Sequence, residues 1–140
     1  NTLVHRTQWS ISTQVATGST DCTCKLWSLR ADNFCLRSYE GHSAAVTAVA
    51  FAGEANHEIL LSCSMDKSVR AWHLSTEACL NVFKEPTAIA CACLAPILLD
   101  GAPVLATGSY GGARLWRVPA ADACAERSFF APEIVLSRTR

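Results

Sequence analysis

Short apolar runs, in which apolar residues alternate with small or polar ones, recur along the 140-residue chain. Val46 to Phe51 alternates in this way, and Ile59 to Ser62 is a short apolar run. Such runs are typical of β-strands, and helical periodicity is absent. Turn-forming residues at 53–57, 65–67 and 75–77 separate the runs. The pattern predicts an all-β chain built from units of four short strands.

Three segments with the same pattern recur at a fixed interval. They are residues 15–19, 60–64 and 105–109, each 45 residues after the one before. A strand ending in tryptophan follows each segment, at Trp27, Trp72 and Trp116. Self-similarity with this period indicates a repeat architecture. A unit of about 45 residues with four strands and a terminal Trp fits a blade of a β-propeller, whose twisted sheet packs against its neighbours on both faces.

The middle unit carries the motif positions of a known repeat. They are Gly41-His42, Val46, Val49, Phe51, residues 60–64, Asp66 and Trp72. This pattern resembles the WD40 family, and the resemblance covers about 15–30, 40–83 and 104–118. It implies an all-β, WD40-type β-propeller of which this chain holds about three four-stranded blades. Because propellers close with 4 to 8 blades, the resemblance also implies further blades outside the chain.

The repeat boundaries divide the chain into four parts. We expect a first, N-terminally incomplete blade at 1–39, a second at 40–84, a third, degenerate blade at 85–130, and the start of a further blade or a tail at 131–140. The chain begins with Asn1 rather than Met and is interpreted as a fragment of a longer protein.

The WD40 resemblance implies a hydrogen-bonded chain from Asp66 to His42 to Ser62 to Trp72. Donors and acceptors balance if the imidazole donates to the carboxylate and accepts from the serine, which in turn accepts from the indole. We interpret these four residues as a structural network with no catalytic role. A hydrolase triad is the alternative, but the chain has no Gly-x-Ser-x-Gly nucleophile elbow.

The outer units depart from this pattern. The first keeps Thr17, Asp21 and Trp27 but has no Gly-His about thirty residues before its Trp. The third has Gly111 where Asp is expected and residues 84–86, Lys-Glu-Pro, in place of Gly-His. We therefore expect the full network only in the middle blade and apolar packing alone in the other two.

The eight cysteines are predicted to be free thiols that pack as small hydrophobes. Two Cys-x-Cys pairs, Cys22 with Cys24 and Cys91 with Cys93, lack the spacing usual in structural zinc sites. The remaining repeated cysteines follow their tryptophans by seven or eight residues, at Cys35, Cys79 and Cys124. No metal, cofactor or disulfide framework is predicted, and free thiols favour a reducing, intracellular compartment, cytoplasmic or nuclear.

Charge, hydropathy and motifs limit the classes of molecule that the chain is expected to bind. Twelve Lys and Arg balance twelve Asp and Glu, and no basic stripe suggests direct contact with nucleic acid. The most apolar stretch, 88–99, is interrupted by Pro96 and is too short for a membrane helix. No phosphate-binding loop, His-Glu-x-x-His motif or carboxylate cluster suggests a small-molecule substrate.

The predicted function is a non-catalytic protein-interaction scaffold or adaptor that assembles a multiprotein complex. Ser43, Lys67 and Tyr110 are the candidate protein-binding residues, because turns on a rigid frame concentrate binding side chains. One alternative is the recognition propeller of a larger enzyme. Another is a substrate receptor of a ubiquitin ligase, since residues 27–30, Trp-Ser-Leu-Arg, resemble a Trp-Asp-x-Arg element without its Asp. Membership of an RNA-processing assembly is a third possibility.

Overall fold

The computed structural model describes residues 14–30, 34–52, 59–99, 102–118 and 132–137. Within these ranges the chain forms eleven β-strands joined by turns and irregular segments. In this part of the chain no helix is long and apolar enough to cross a bilayer. The all-β prediction is confirmed.

The strands form three antiparallel sheets in which consecutive strands are neighbours. Sheet 1 contains β1 (Gln14–Gly18), β2 (Cys24–Ser28) and β3 (Cys35–Tyr39). Sheet 2 contains β4 (Val46–Ala52), β5 (Ile59–Ser64), β6 (Ser68–His73) and β7 (Cys79–Lys84). Sheet 3 contains β8 (Ile89–Leu99), β9 (Ala102–Ser109), β10 (Gly112–Arg117) and β11 (Pro132–Ser137). Three antiparallel sheets of three or four strands fit the propeller blades that the sequence predicts.

One hairpin turn is repeated in all three sheets, between β1 and β2, β5 and β6, and β9 and β10. The residue that ends each turn has a positive φ, at Cys22 (71°), Lys67 (67°) and Gly112 (128°). An aspartate braces the first two turns, where Asp21 and Asp66 each accept a backbone N–H two residues later at 2.9 Å. In sheet 3 glycine replaces this aspartate, and glycine also occupies the left-handed position.

The sheets stack face to face in chain order. We call the face that points toward the next sheet the forward face, and the opposite one the rear face. The core between sheets 1 and 2 includes Ala16, Cys24, Leu26, Val49, Leu60 and Trp72. The core between sheets 2 and 3 includes Leu61, Cys63, Val69, Ala71, Ile89, Leu105 and Trp116. Sheet 2 therefore buries apolar side chains on both faces.

Close approaches fix each sheet against the next. A Cβ added to Gly18 would lie only 2.6 Å from Val46 Cγ1, so the absence of a side chain lets sheet 1 approach sheet 2. The Val46 N–H donates to the Ser19 carbonyl at 3.0 Å. Between sheets 2 and 3, the Thr47 hydroxyl donates to the Ile89 carbonyl at 2.9 Å. The stack is thus held by hydrogen bonds as well as by apolar packing.

The structure differs from the expected division of the chain at its C-terminal part. The strand β11 pairs with β10 as the outer strand of sheet 3, so 132–137 does not start a further blade. In sheets 1 and 2 the outer strand begins seven or eight residues after the tryptophan, whereas in sheet 3 it begins sixteen residues after Trp116. The regular spacing predicts this strand near Cys124, which lies outside the described residues.

Candidate functional site

One edge of the stack collects the three repeated hairpin turns and the segments that lead into β4 and β8. We call this edge the turn face. Backbone hydrogen bonds tie its segments together: Met65 donates to the Ala45 carbonyl at 3.0 Å, and Glu85 donates to the Lys67 carbonyl at 2.7 Å. The turn face is therefore a connected surface that spans neighbouring sheets.

Four side chains of sheet 2 form a continuous chain beneath the turn face. His42 Nδ1 lies 2.8 Å from Asp66 Oδ2, and His42 Nε2 lies 2.7 Å from Ser62 Oγ. The indole N–H of Trp72 donates to Ser62 Oγ at 2.8 Å. A neutral imidazole protonated on Nδ1 satisfies every group, as donor to the carboxylate and acceptor from the serine hydroxyl. The structure brings together all four residues that the sequence singled out.

The hydrogen-bonded network also extends into the loops of the turn face. The second oxygen of Asp66 accepts the backbone N–H and the hydroxyl of Ser68, and Asp66 Oδ2 also accepts the Ser43 N–H at 3.1 Å. Ser64 Oγ donates to the Ala44 carbonyl at 3.0 Å. A single carboxylate therefore joins the β5–β6 turn to the segment before β4.

Gly41 leaves room beside the network. Its φ is +146°, and a Cβ there would lie 2.7 Å from Arg70 Nη1 and 3.3 Å from the Trp72 ring. The guanidinium of Arg70 lies 5.7 Å from the centroid of the Trp72 ring. A glycine before His42 thus permits a cation–π contact that covers the indole.

Burial and hydrogen bonding set the charges of the network. Burial disfavours the imidazolium and lowers the pKa of His42, against the opposing influence of Asp66. Burial alone would raise the pKa of Asp66, but hydrogen bonds from Ser68, His42 and the Ser43 N–H outweigh it and lower that pKa to about 2. At neutral pH the pair is a carboxylate that accepts from a neutral imidazole.

These two shifts predict that acid destabilises the fold. A folded-state pKa below 6.5 at His42 means that the unfolded chain binds more protons below that pH, so stability falls as the pH drops below about 6.5. The stabilisation from Asp66 is present above pH 3.8 and is lost as the pH falls toward about 2. The melting temperature should therefore decrease from pH 7 to pH 5, and again below pH 4. A constant or rising melting temperature between pH 7 and 5 would contradict the assigned neutral histidine.

The arrangement contains a Ser, a His and an Asp, but it is poorly built for hydrolysis. Ser62 is 0% exposed, and its oxygen already accepts from the Trp72 indole. A nucleophile has to reach a substrate, and this one lies inside the stack. We interpret the network as a structural one that holds the turn face.

Sheet 3 contains an equivalent network made of different residues. The Trp116 indole donates to Thr107 Oγ1 at 2.9 Å, and the Thr107 hydroxyl donates to Glu85 Oε1 at 2.7 Å. The Arg114 guanidinium pairs with Glu85 Oε2. The prediction that apolar packing alone holds this sheet is wrong. Glu85, only 5% exposed, takes the place of the histidine, two residues before the position that the repeat would give it.

Sheet 1 contains the tryptophan-to-hydroxyl bond of the network. The Trp27 indole donates to Thr17 Oγ1 at 2.9 Å, as the other two tryptophans do to their own hydroxyl partners. Asp21 accepts the Thr23 hydroxyl and N–H, which lowers its pKa. The residues that precede Gln14 lie outside the described part of the chain. Each sheet therefore has a tryptophan-to-hydroxyl bond in its described strands.

The three candidate binding residues all lie on the turn face. Ser43, Lys67 and Tyr110 are exposed, and Tyr110 is 88% exposed. Sequence reasoning missed Met65, which is 43% exposed at the turn position equivalent to Tyr110 in the preceding sheet. The 45-residue repeat could have found it, because it aligns residues 65 and 110.

A cleft of about 460 Å³ lies between sheets 1 and 2 on the opposite edge. Leucines form its apolar part, and polar side chains complete the lining, which consists of Gln14, Leu26, Leu36, Arg37, His73, Leu74 and Ser75. The Tyr39 hydroxyl donates to the Leu74 carbonyl at 2.8 Å and fastens the adjoining turn to sheet 1. This edge of the stack is therefore a concave surface.

Comparison with known proteins identifies the repeat. Residues 2–28 and 33–73 match the family model described as "WD domain, G-beta repeat". The matched residues include the complete network of sheet 2 and the Thr17–Trp27 pair of sheet 1. The chain belongs to the WD40-repeat family. The WD40 match ends at residue 73, before sheet 3, whose strands nevertheless repeat the same hairpin and the same tryptophan bond.

Several curated relatives are similar over part of the chain. "Nuclear distribution protein nudF 2" of Aspergillus clavatus is 38% identical over 64% of this chain and 20% of its own length. "Nuclear distribution protein nudF" of Aspergillus niger is 37% identical over 44% of this chain and 14% of its own. "Mitogen-activated protein kinase kinase kinase A" of Dictyostelium discoideum is 34% identical over 53% of this chain and 8% of its own. The chain therefore spans a fifth or less of these relatives.

The seven described cysteines of this WD40 chain differ in burial, and Cys22 is of intermediate exposure. Burial raises the pKa of Cys24 to about 12 and also raises that of Cys63, and both thiols lie in the apolar cores. The prediction that the other thiols are also buried is wrong for four of them, which are exposed: Cys35, Cys79, Cys91 and Cys93. All seven described cysteines are free, and the described residues contain no group of side chains arranged to hold a metal ion.

Proposed function

We propose that this WD40 chain is a non-catalytic scaffold that binds protein partners through its turn face. The observation that carries the proposal is the exposure of Met65 and Tyr110, large apolar side chains at equivalent turns of neighbouring sheets. Aromatic residues and methionine are enriched at protein interfaces, and turns on a rigid frame concentrate binding side chains. Lys67 lies in the same turn as Met65 and adds a positive charge to the surface.

The network below supports this role by restraining the loops that carry the exposed side chains. Asp66 is held by His42 and Ser68, and it immediately precedes Lys67. The Lys67 carbonyl accepts the Glu85 N–H, which links the turn to the segment that leads into sheet 3. A restrained surface loses less conformational entropy when a partner binds, which favours affinity.

Affinity purification with mass spectrometry tests the proposal on the variant that combines Lys67→Glu with Tyr110→Ala. We expect this variant to remain folded. The recovered amount of each protein partner should fall at least about tenfold, because hot-spot aromatic residues contribute about 2 kcal/mol or more to the free energy of binding. The matched control combines Arg30→Glu with Phe34→Ala, one exposed cation and one exposed aromatic residue on the opposite edge.

The control also separates the two edges of the stack. Partners that are lost from the control variant but kept by the turn-face variant would contradict the proposal and move binding to the edge with the cleft. That result would favour the ubiquitin-ligase alternative, since Leu29 and Arg30 of the Trp-Ser-Leu-Arg element are both exposed there.

A second candidate function is the recognition propeller of a larger enzyme. The similarity to a Dictyostelium protein named as a kinase favours it, because that relative is far longer than the matched part. In this case the present chain would bind the substrate protein and a separate domain would catalyse the reaction. The test introduces the turn-face substitutions into the longer protein. Loss of activity on the protein substrate, with unchanged activity on a short peptide, would support this alternative.

We further propose an intracellular, reducing location and no direct binding of nucleic acid, membrane or small-molecule substrate. Free thiols, four of them exposed, support the reducing compartment. Equal numbers of acidic and basic residues argue against an electrostatic footprint for phosphate backbones.

A further inference from the structure

The cleft between sheets 1 and 2 combines an apolar part with a single formal cation. Its volume is about 460 Å³, which falls in the range of binding sites for small ligands and side chains. Leu26 belongs to the core between the two sheets, and Leu36 and Leu74 pack against that core. The polar side chains of the lining include Arg37 and, in the described part of the chain, no acidic residue. An occupant that complements this lining has an apolar side chain and a negative charge.

The wall that sheet 2 contributes is a turn fastened to sheet 1. This turn joins β6 to β7, and its own backbone closes it. The Glu77 N–H donates to the His73 carbonyl at 3.0 Å, and the His73 N–H donates to the Ala78 carbonyl at 2.8 Å. The Tyr39 hydroxyl of sheet 1 donates to the Leu74 carbonyl at 2.8 Å. Because these bonds form the cleft before a ligand arrives, binding does not have to order the turn.

The guanidinium of Arg37 already pairs with a carboxylate from this turn. Its Nη1 lies 3.2 Å from Glu77 Oε1, and the two side chains are 38% and 44% exposed. Glu77 has a φ of 62°, a left-handed conformation that glutamate rarely adopts. A guanidinium carries several N–H donors, and an exposed pair of this kind is weak. Arg37 is therefore placed to receive an acidic group, and a second carboxylate can compete with Glu77 for it.

We propose that the cleft binds a peptide segment of a partner protein in which a glutamate follows a leucine. The leucine side chain would pack against Leu36 and Leu74, and the glutamate carboxylate would bind Arg37 in exchange with Glu77. Leu36 and Arg37 are neighbours in β3, so the apolar and acidic groups that contact them lie close together in the ligand. This binding site is separate from the turn face.

Saturation-transfer NMR of the purified protein with a short peptide tests the proposal. The probe is the tetrapeptide Ala-Leu-Glu-Ala, blocked at both ends so that glutamate supplies its only charge. We expect saturable binding, with the strongest transfer to the leucine methyl groups. A peptide with serine in place of leucine should bind at least about tenfold more weakly, because it buries no apolar side chain. A peptide with glutamine in place of glutamate should bind about threefold more weakly or worse.

Two substitutions at the ion pair should act in opposite directions. Arg37→Gln should weaken binding of the glutamate peptide about threefold or more, and Glu77→Gln should strengthen it about two- to fivefold, because it removes the competing carboxylate. Damage to the fold would only weaken binding, so the gain for Glu77→Gln is the discriminating result. Arg30→Gln is the matched control, since Arg30 is an exposed cation that does not line the cleft. Circular dichroism verifies that each variant is folded.

Three results would overturn the proposal. The first is no saturable binding at peptide concentrations up to about 10 mM, where even a very weak site would be filled. The second is equal binding of the glutamate and glutamine peptides, and the third is binding that Arg37→Gln leaves unchanged. The variant that combines Lys67→Glu with Tyr110→Ala should bind the peptide like the native protein, so failure at the cleft is distinguishable from failure at the turn face.

Discussion

Replacement of His42 by alanine is expected to lower the free energy of unfolding by about 3 kcal/mol, because it leaves two buried groups without partners. Asp66 would lose the imidazole N–H at 2.8 Å, and the Ser62 hydroxyl would lose its acceptor at 2.7 Å. Urea denaturation at a fixed protein concentration measures the change.

The matched control for this prediction is His73→Ala. His73 is half-buried at the cleft, and its Nδ1 hydrogen-bonds the nearby exposed Ser75, so the loss should stay within about 0.5 kcal/mol. A double-mutant cycle with Ser62→Ala should show coupling, because His42 and Ser62 are hydrogen-bonded. Equal effects of the two histidine substitutions would mean that the network does not stabilise the sheet.

The fold of this chain could be predicted to an unusual depth because its repeat is nearly exact in spacing. A shift of 45 residues superimposes strands, turns and tryptophans, so a pattern read in sheet 2 could be transferred to its neighbours. The network of sheet 2 could also be placed, since Asp66, His42, Ser62 and Trp72 are four residue types whose donors and acceptors complement one another. The residue types at these four positions and the 45-residue spacing of the repeat were both needed to predict the network.

Other features could not be read from the repeat. Residues 84–86 stand in place of Gly-His in the sequence, but Glu85 belongs to a different chemical class from histidine and lies two residues from its position, so the repeat alone gives Glu85 no role. The strand β11 follows a longer connection than its equivalents, and period alone does not register an insertion. Cys35 and Cys79 recur at the start of outer strands, where the sheet ends and few neighbours remain to bury a side chain.

The three sheets show which part of the network is retained. A tryptophan-to-hydroxyl bond of 2.8 to 2.9 Å occurs in each, with serine in sheet 2 and threonine in sheets 1 and 3. The group behind the hydroxyl differs, and is a histidine and aspartate in sheet 2 but a glutamate and arginine in sheet 3. In both cases it lies next to the segments of the turn face, so different chemistry gives the same support to the surface proposed to bind partners.

Replacement of Glu85 by alanine should therefore cost as much as the loss of His42, about 3 kcal/mol or more, because it breaks a buried ion pair. The Glu85 side chain is 1% exposed, and Arg114, its partner, is 22% exposed. Without Glu85, Arg114 keeps a charge with little access to water and the Thr107 hydroxyl loses its acceptor. Glu85→Gln should be milder, since an amide oxygen still accepts from Thr107.

Glu77→Ala is the matched control, because Glu77 also pairs with an arginine, Arg37, but at the surface. The side chains of that pair are 44% and 38% exposed, so its loss should cost less than about 1 kcal/mol. Urea denaturation of the three variants at one protein concentration gives the comparison. A Glu85→Ala chain that is as stable as the Glu77→Ala chain would show that apolar packing holds sheet 3 without the polar network. A large loss for Glu85 alone would mean that this degenerate blade has replaced the histidine network with an ion pair of comparable importance.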